Sequence, residues 1–331
     1  MKSCAIVILN FNGAEVLPKF LSSVVKESQN DIWVIDNASE DNSLEFLESD
    51  YPQIQLIKLE KNLGFAGGYN RGLGKLKDLY EYYILLNSDV EVTPEWDQLL
   101  LTWLDSQPNY ACVQPKILSF QNRVFFDYAG AAGGFLDFLG YPYCRGRIWE
   151  TIEKDTGQYN QDLEVDWASG ACMAVRANLF HDLGGFDEQF FAHMEEIDLC
   201  WRLRAEGWKV GFHSRSVVYH FGGATLSRSS PSKLHLNIRN SLLMLHKNLK
   251  SDFWLRFLPK AALEFSAALN YLIKGEKESS KAIRQGYSDF FKMRDKNIKS
   301  VKTNAPIKST GPATVIFWDY FIRGRKTFLE L

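Results

Sequence analysis

The chain has 331 residues, 46% hydrophobic and 14% aromatic, enough to bury a large core in one sizeable domain with an appendage or in two modest domains. Its composition is that of a globular protein, and its five cysteines (4, 112, 144, 172 and 200) are scattered and never form a CxxC, so neither a disulfide framework nor a zinc knuckle is suggested and a reducing cytoplasm fits. The net charge of −2 hides an asymmetry: residues 231–331 hold 19 Lys and Arg against 8 Asp and Glu (+11), leaving 19 against 32 (−13) for residues 1–230.

The chain opens on MKSCAIVILNFNG, whose apolar run reaches a turn too soon for a signal peptide or a membrane span, so no export is implied. Short β-branched runs follow one another at 4–10, 31–37, 54–59 and 82–87. Helical patterns near 14–28, 42–49, 65–78 and 94–106 separate or follow them, the last opened by TPEW with Thr93 as its N-cap. This rhythm predicts an α/β fold, a mostly parallel sheet flanked by helices. In such sheets ligands bind beyond the carboxyl ends of the strands, which here carry Asn10 and Asn12, Asp36 and Asn37, and Asn87, Ser88 and Asp89. The stretch NLGFAGGYNRG (62–72) runs from a strand end into a helix. Its glycines would let backbone approach a phosphate or ribose, although it is neither GxGxxG nor a P-loop.

From about 120 to 164 the sequence turns glycine- and aromatic-rich and reads as long loops. Order returns with VDWASGACMAVR (165–176), a helix from about Glu195 to Glu206, and strands in WKVGFH and SVVYHFGG. The helix crowds Glu195, Glu196 and Asp198 at its entrance. Asp198 has Arg202 four residues on as a partner, whereas Glu195 and Glu196 have no local cation and should include one that faces a cleft or ligand. Acids also suit any first helical turn, NSD is also a turn, and a lone histidine such as His220 is commonly structural. Beyond Pro231 three helical stretches, a polar stretch (299–312) and an apolar tail follow, with no internal repeat.

Seven motifs in order, VILNFNG, VIDNASEDNS, NLGFAGGYNRG, YILLNSDVEV, SGACMAVR, GGFDEQFFAHMEEIDLCWRLRAEGW and YHFGGAT, resemble the inverting nucleotide-sugar glycosyltransferases of family 2, of GT-A fold, and among them bacterial rhamnosyltransferase-like members. The likeness covers about residues 3–245. It implies a GT-A domain over 1–230 and leaves 231–331 as a mostly helical, basic region suited to a membrane or homodimer contact, or to packing on the body. Asn10, Asp36, Asn37, Asn62, Gly64, Asn87, Ser88 and Asp89 would hold the nucleotide-sugar donor (dTDP- or UDP-linked), with Asp36 and Asn37 on the base and ribose. Asp89 and His220 would bind Mg²⁺ or Mn²⁺. The general base would be Glu196, or else Glu195, where many members have Asp; likewise the triplet begins with Asn87 where an Asp is usual. The implied acceptor is a glycan or lipid-linked glycan of the cell surface, the place is the cytoplasm or the inner face of the membrane, and nucleic acid has no part. Two other readings stand beside this one. A sugar-phosphate nucleotidyltransferase would need a basic glycine-rich loop after the first strand, where only NFNGAEVLPK occurs; a non-catalytic glycan-binding or scaffold subunit would have no need of acids at a cleft.

Overall fold

A computed structural model of the chain describes residues 2–222, 230–295 and 308–331. The last three residues of YHFGGAT, and 299–307 of the polar stretch, lie outside the described residues.

Strands β1 (Lys2–Asn10), β2 (Asp31–Asp36), β3 (Gln55–Lys58) and β4 (Tyr80–Asn87) alternate with helices α1 (Leu17–Glu27), α2 (Ser43–Asp50) and α3 (Gly64–Lys75). They pair in parallel, in the order β3-β2-β1-β4. The chain continues through β5 (Val90–Val92), α4 (Trp96–Ser106) and β6 (Tyr110–Ser119). A smaller four-stranded sheet follows: β7 (Gly134–Leu136), β8 (Pro142–Cys144), β9 (Arg147–Ile148) and β10 (Thr151–Ile152). Then come β11 (Leu163–Val165), β12 (Cys172–Arg176), α5 (Ala177–Asp182), α6 (Glu195–Ala205) and β13 (Lys209–His220). Among the described residues the large sheet has nine strands, in the order β11-β13-β6-β12-β4-β1-β2-β3 with β5 on β13. Antiparallel β12 fits between β4 and β6, and so ties the parallel half to the rest.

The sheet is covered on both faces, which is why its strands read as unbroken apolar runs. Cys4, Ile6 and Ile8 of β1 share one core with Leu17 and Leu21 of α1 and Trp96 and Leu100 of α4. Ala5 and Val7, pointing the other way, share a second core with Tyr69 and Leu73 of α3, Leu199 of α6 and Leu242. Helix α3 lies close to the sheet because a Cβ at Gly72 would stand 2.1 Å from Ile35 Cδ1. Some of the family-like glycines therefore serve packing.

Three further helices follow: α7 (Pro231–Leu249), α8 (Phe253–Ile273) and α9 (Lys277–Met293). No helix among the described residues is long and apolar enough to cross a membrane.

Two local expectations are corrected. Thr93 is no N-cap: its hydroxyl donates to the Val217 carbonyl at 2.7 Å, and α4 begins at Trp96 after Glu95 in the left-handed region (φ 61°). The stretch 120–164 keeps irregular segments at 120–133 and 153–162, but between them it forms two- and three-residue strands, largely buried and too short to show a period of two. Its buried aromatic residues, Phe126, Phe135, Tyr143 and Tyr159, belong to the core. Phe328 of the tail packs against Phe135, Tyr143 and Tyr159, and Ile316 N–H donates to buried Asp137, so the tail closes over this unit.

Candidate active site

The polar ends of β1 and β2 are cross-linked rather than free. Asn10 is buried and its Nδ2 donates to Asp36 Oδ1 (2.9 Å), Ser43 Oγ (2.9 Å) and Ser39 Oγ (3.1 Å). Asp36 also accepts the Ser39 N–H, and Asn12, at φ 53°, donates its N–H to Ser39 Oγ. Asn37 accepts the Leu63 N–H and donates to Asn62 Oδ1 and the Gly64 carbonyl. These bonds join the ends of β1 and β2 to the entrance of α3, forming a fixed polar rim. Gly64 needs its missing side chain: its φ is +70°, and a Cβ there would meet the Phe191 ring and carbonyl at 2.5 Å.

The NSD turn lies beside the end of β13. Strand β5 starts immediately after Asp89 and pairs Val90 with His220. That register brings His220 Nε2 to 3.2 Å from Asp89 Oδ1, while Gly222 N–H donates to Asp89 Oδ2. Asn87 and Ser88 are half-buried at the same turn. On its other side His220 Nδ1 lies 2.9 Å from Oδ1 of buried Asp127, a residue that sequence reasoning missed because no motif surrounds it. Burial alone would depress the imidazolium. The two flanking carboxylates outweigh it and hold the His220 pKa up at about 10. Burial likewise works to raise Asp89, but the His220 charge and hydrogen bonds keep it below the ordinary carboxylate range.

Glu195 and Glu196 open α6 after a contorted approach. Phe191, His193 and Met194 have φ of 62°, 71° and 74°, a left-handed run that costs about 1–3 kcal/mol per residue. Both glutamates have an Oε2 that is buried without a hydrogen-bond partner among the described residues. Burial, and then the charge of Glu196, push Glu195 far above the carboxylate range. Burial also raises Glu196, whose carboxylate accepts backbone N–H groups that include Gly170, and which the Lys233 charge pulls back. Gly170 precedes Ala171, whose carbonyl accepts the Asn87 N–H at 3.0 Å. The acid pair and the NSD turn thus stand at adjoining ends of the sheet.

Asp198 behaves as expected, with its Oδ2 2.8 Å from Arg202 Nε. It also receives Lys247 Nζ at 2.7 Å and Asn248 from α7, and these cations outweigh its burial and keep it ionised. Lys247 bridges in turn to Asp187. Buried Asn240, also on α7, shares its Nδ2 among the carbonyls of Phe190 (2.9 Å), Ala192 (2.8 Å) and His193 (2.7 Å). Arg239 donates to Phe190 O as well. The turn before the two glutamates is thus fastened from the basic C-terminal third. No local sequence signal could have shown this, since the bonds join segments about fifty residues apart.

Among the described residues no group of three or more His, Cys, Asp and Glu side chains is arranged to hold a metal ion by itself. Asp89 and His220 nevertheless bring one carboxylate oxygen and one imidazole nitrogen to the same point, the nitrogen becoming a donor when an ion displaces the proton it shares with Asp89. That is a donor set which suits Mn²⁺ or Mg²⁺ when further oxygens come from a phosphate group and water. Asp127 Oδ2, buried and without a partner among the described residues, lies behind the histidine. The residues present fit a divalent ion shared with a diphosphate.

The model of glycosyl transferase family 2 matches residues 5–184. The chain is 26% identical over 255 residues to the N-acetylglucosaminyl-diphospho-decaprenol L-rhamnosyltransferase of Mycobacterium tuberculosis, covering 72% of this chain and 83% of that one. In fold it is similar to the mannosyltransferase PcManGT of Pyrobaculum calidifontis in complex with GDP-Man and Mn²⁺, with a TM-score of 0.53, 13% identity and coverage of 87% and 86%. It is also similar to GalNAc-T7 with UDP, GalNAc and Mn²⁺, with a TM-score of 0.58 and 18% identity, over 75% of this chain but only about half (48%) of that one. The mixed sheet with flanking helices is therefore of the glycosyltransferase GT-A type.

Proposed function

The chain belongs to glycosyl transferase family 2, and from that premise we propose that it moves a sugar from a dTDP- or UDP-linked donor to a hydroxyl of a glycan or lipid-linked glycan, with inversion, in the synthesis of a cell-surface polysaccharide. Rhamnose is the sugar favoured by the likeness to the mycobacterial enzyme. The observation that carries the reading is the adjoining placement of two unlike carboxylate sites. One is Asp89 paired with His220; the other is buried Glu195 beside half-buried Glu196, each with an Oε2 that has no partner among the described residues.

The rim of Asn10, Asp36, Asn37, Asn62 and Gly64 would receive the nucleoside, and the NSD turn the diphosphate. Asp89 and His220 would hold Mg²⁺ or Mn²⁺, with Asp127 fixing the histidine ring. Bound there, the ion would neutralise the charge that develops on the diphosphate leaving group. Glu196 serves as the base. It is the less buried of the pair and so the one an acceptor can reach, and it takes the proton from the acceptor hydroxyl as that oxygen attacks the anomeric carbon from the face opposite the diphosphate. Burial and the neighbouring charge raise Glu195 beside it. The reaction is placed in the cytoplasm at the inner face of the cell membrane, where a lipid-linked acceptor would be found.

The test is thermal shift with UDP, dTDP, GDP and ADP, with and without Mn²⁺, on wild type and Asp89→Ala. Metal-dependent stabilisation by UDP or dTDP that disappears in the variant supports the reading and identifies the base. No shift with any nucleotide, with or without metal, overturns it.

A further inference from the structure

Helix α8 packs Phe253, Phe257 and Ala268 inward and yet presents a second apolar face outward. Its charged residues Arg256, Lys260 and Glu264 recur every fourth position and turn toward the protein. Lys260 is fully buried, 3.1 Å from Glu264 Oε1 and over the Tyr141 ring; Glu264 accepts from Tyr141 and Tyr287; Arg256 stacks on Phe138. The outward face holds Trp254, Leu255, Leu258, Phe265, Leu269 and Ile273, exposed by 45–78%. Among the described residues of α8, none on that face is charged. A helix that faced water would be built the other way round. On the tail, Trp318, which lines a cleft together with Arg256, and Phe321 and Ile322 are about half exposed as well.

We propose that this outward face of α8, with the tail aromatics, inserts into the headgroup layer of an anionic lipid bilayer. Charge decides between lipid and a second copy of the chain. Lys274, Lys277, Lys281, Arg284 and Lys292, at the end of α8 and along α9, are exposed and outnumber the acids among them, Glu276, Glu278 and Asp289, of which Glu278 and Asp289 pair with Lys281 and Lys292, and residues 231–331 carry +11. Two copies meeting through α8 would press these like charges together, whereas anionic headgroups complement them. A 21-residue helix offers an apolar strip about 30 Å long, and apolar insertion together with basic charge are the two signals that reversible membrane binding needs. The proposal deepens the transferase reading by naming the surface on which a lipid-linked acceptor would be met, and it rests on that reading for its purpose.

The test is flotation of the full chain with vesicles of phosphatidylcholine alone and of phosphatidylcholine with phosphatidylglycerol. Light scattering gives the mass in solution, and nucleotide thermal shift is measured on each variant. Wild type is expected to float with the anionic vesicles and not with the neutral ones. The double variant Leu258→Glu/Leu269→Glu is expected to lose at least about tenfold in vesicle affinity with its nucleotide response unchanged. If that variant has no folding transition, Lys281→Glu/Arg284→Glu, which changes only exposed charge, should remove the preference for anionic vesicles. Failure of wild type to float, flotation of both variants like wild type, or a dimer that the leucine variant splits without any vesicle binding would each overturn the proposal. Flotation by a chain that binds no nucleotide would support the lipid surface while the transferase reading fails.

Discussion

His220 Nδ1 lies 2.9 Å from Asp127 Oδ1, and this contact fixes which way the ring presents Nε2 to Asp89. A carboxylate behind a ligating histidine orients it and raises its basicity. Asp127→Asn should therefore raise the Mn²⁺ concentration needed for half-maximal nucleotide-dependent stabilisation by roughly 10–100-fold. An unchanged metal requirement would remove His220 from the ligand set or Asp127 from its support.

The two glutamates should separate sharply in kinetics. Glu196→Gln is expected to lower kcat by roughly 10²–10⁴-fold with little change in donor KM, since it removes the base and not a donor contact. Glu195→Gln replaces a carboxyl that burial already biases toward its neutral form and that is not the base, so its kcat should stay within a few-fold of wild type. The reverse pattern would make Glu195 the base.

Glu195 also makes a prediction for stability against pH. Its carboxyl is raised in the folded chain above its ordinary value of 4.5, so the unfolded chain loses its proton first, and wild type loses stability as pH rises from there through the folded value. Glu195→Gln escapes this loss. Its melting temperature should match wild type near pH 4 and exceed it at neutral pH, and a gap that did not depend on pH would count against the assignment.

Asn240 holds three carbonyls of a strained turn, so its loss should act at a distance. Asn240→Ala leaves buried acceptors unpaired, which costs about 1–3 kcal/mol in stability, and frees the turn that aims Glu196. The expected outcome is a fall in kcat larger than any rise in donor KM, with nucleotide binding retained. Equal loss of nucleotide binding and turnover would point to general unfolding.

The elements whose meaning is local were legible in the sequence. The βα rhythm of residues 4–106 follows from runs buried on both faces, and the Asp198–Arg202 pair from helical spacing. The nearness of Asp89 to His220 depends on the register of β5 on β13, which the ordered motifs implied but no spacing could prove. Asp127 and Asn240 stayed hidden because each acts across a long separation through one hydrogen-bonding group. The strands of 134–152 stayed hidden because two or three residues carry no period. Arg256, Lys260 and Glu264 break up an otherwise apolar run at 253–273. They turn inward beside Phe253, Phe257 and Ala268, and only the partners Phe138, Tyr141 and Tyr287 disclose that.

The fastening of the Phe190–Met194 turn by Asn240 sets an order of events during synthesis. When α6 leaves the ribosome, the residue that secures its approach is still some 45 positions from being made (240 − 195). Until α7 emerges and docks, the left-handed run has no Asn240 to hold it. A nascent or C-terminally broken chain lacks both the anchor of this turn and the α7 residues, Leu242 among them, that fill the second core. Maturation of such a chain would be gated by its own length, and fragments cut before α7 are expected not to turn donor over.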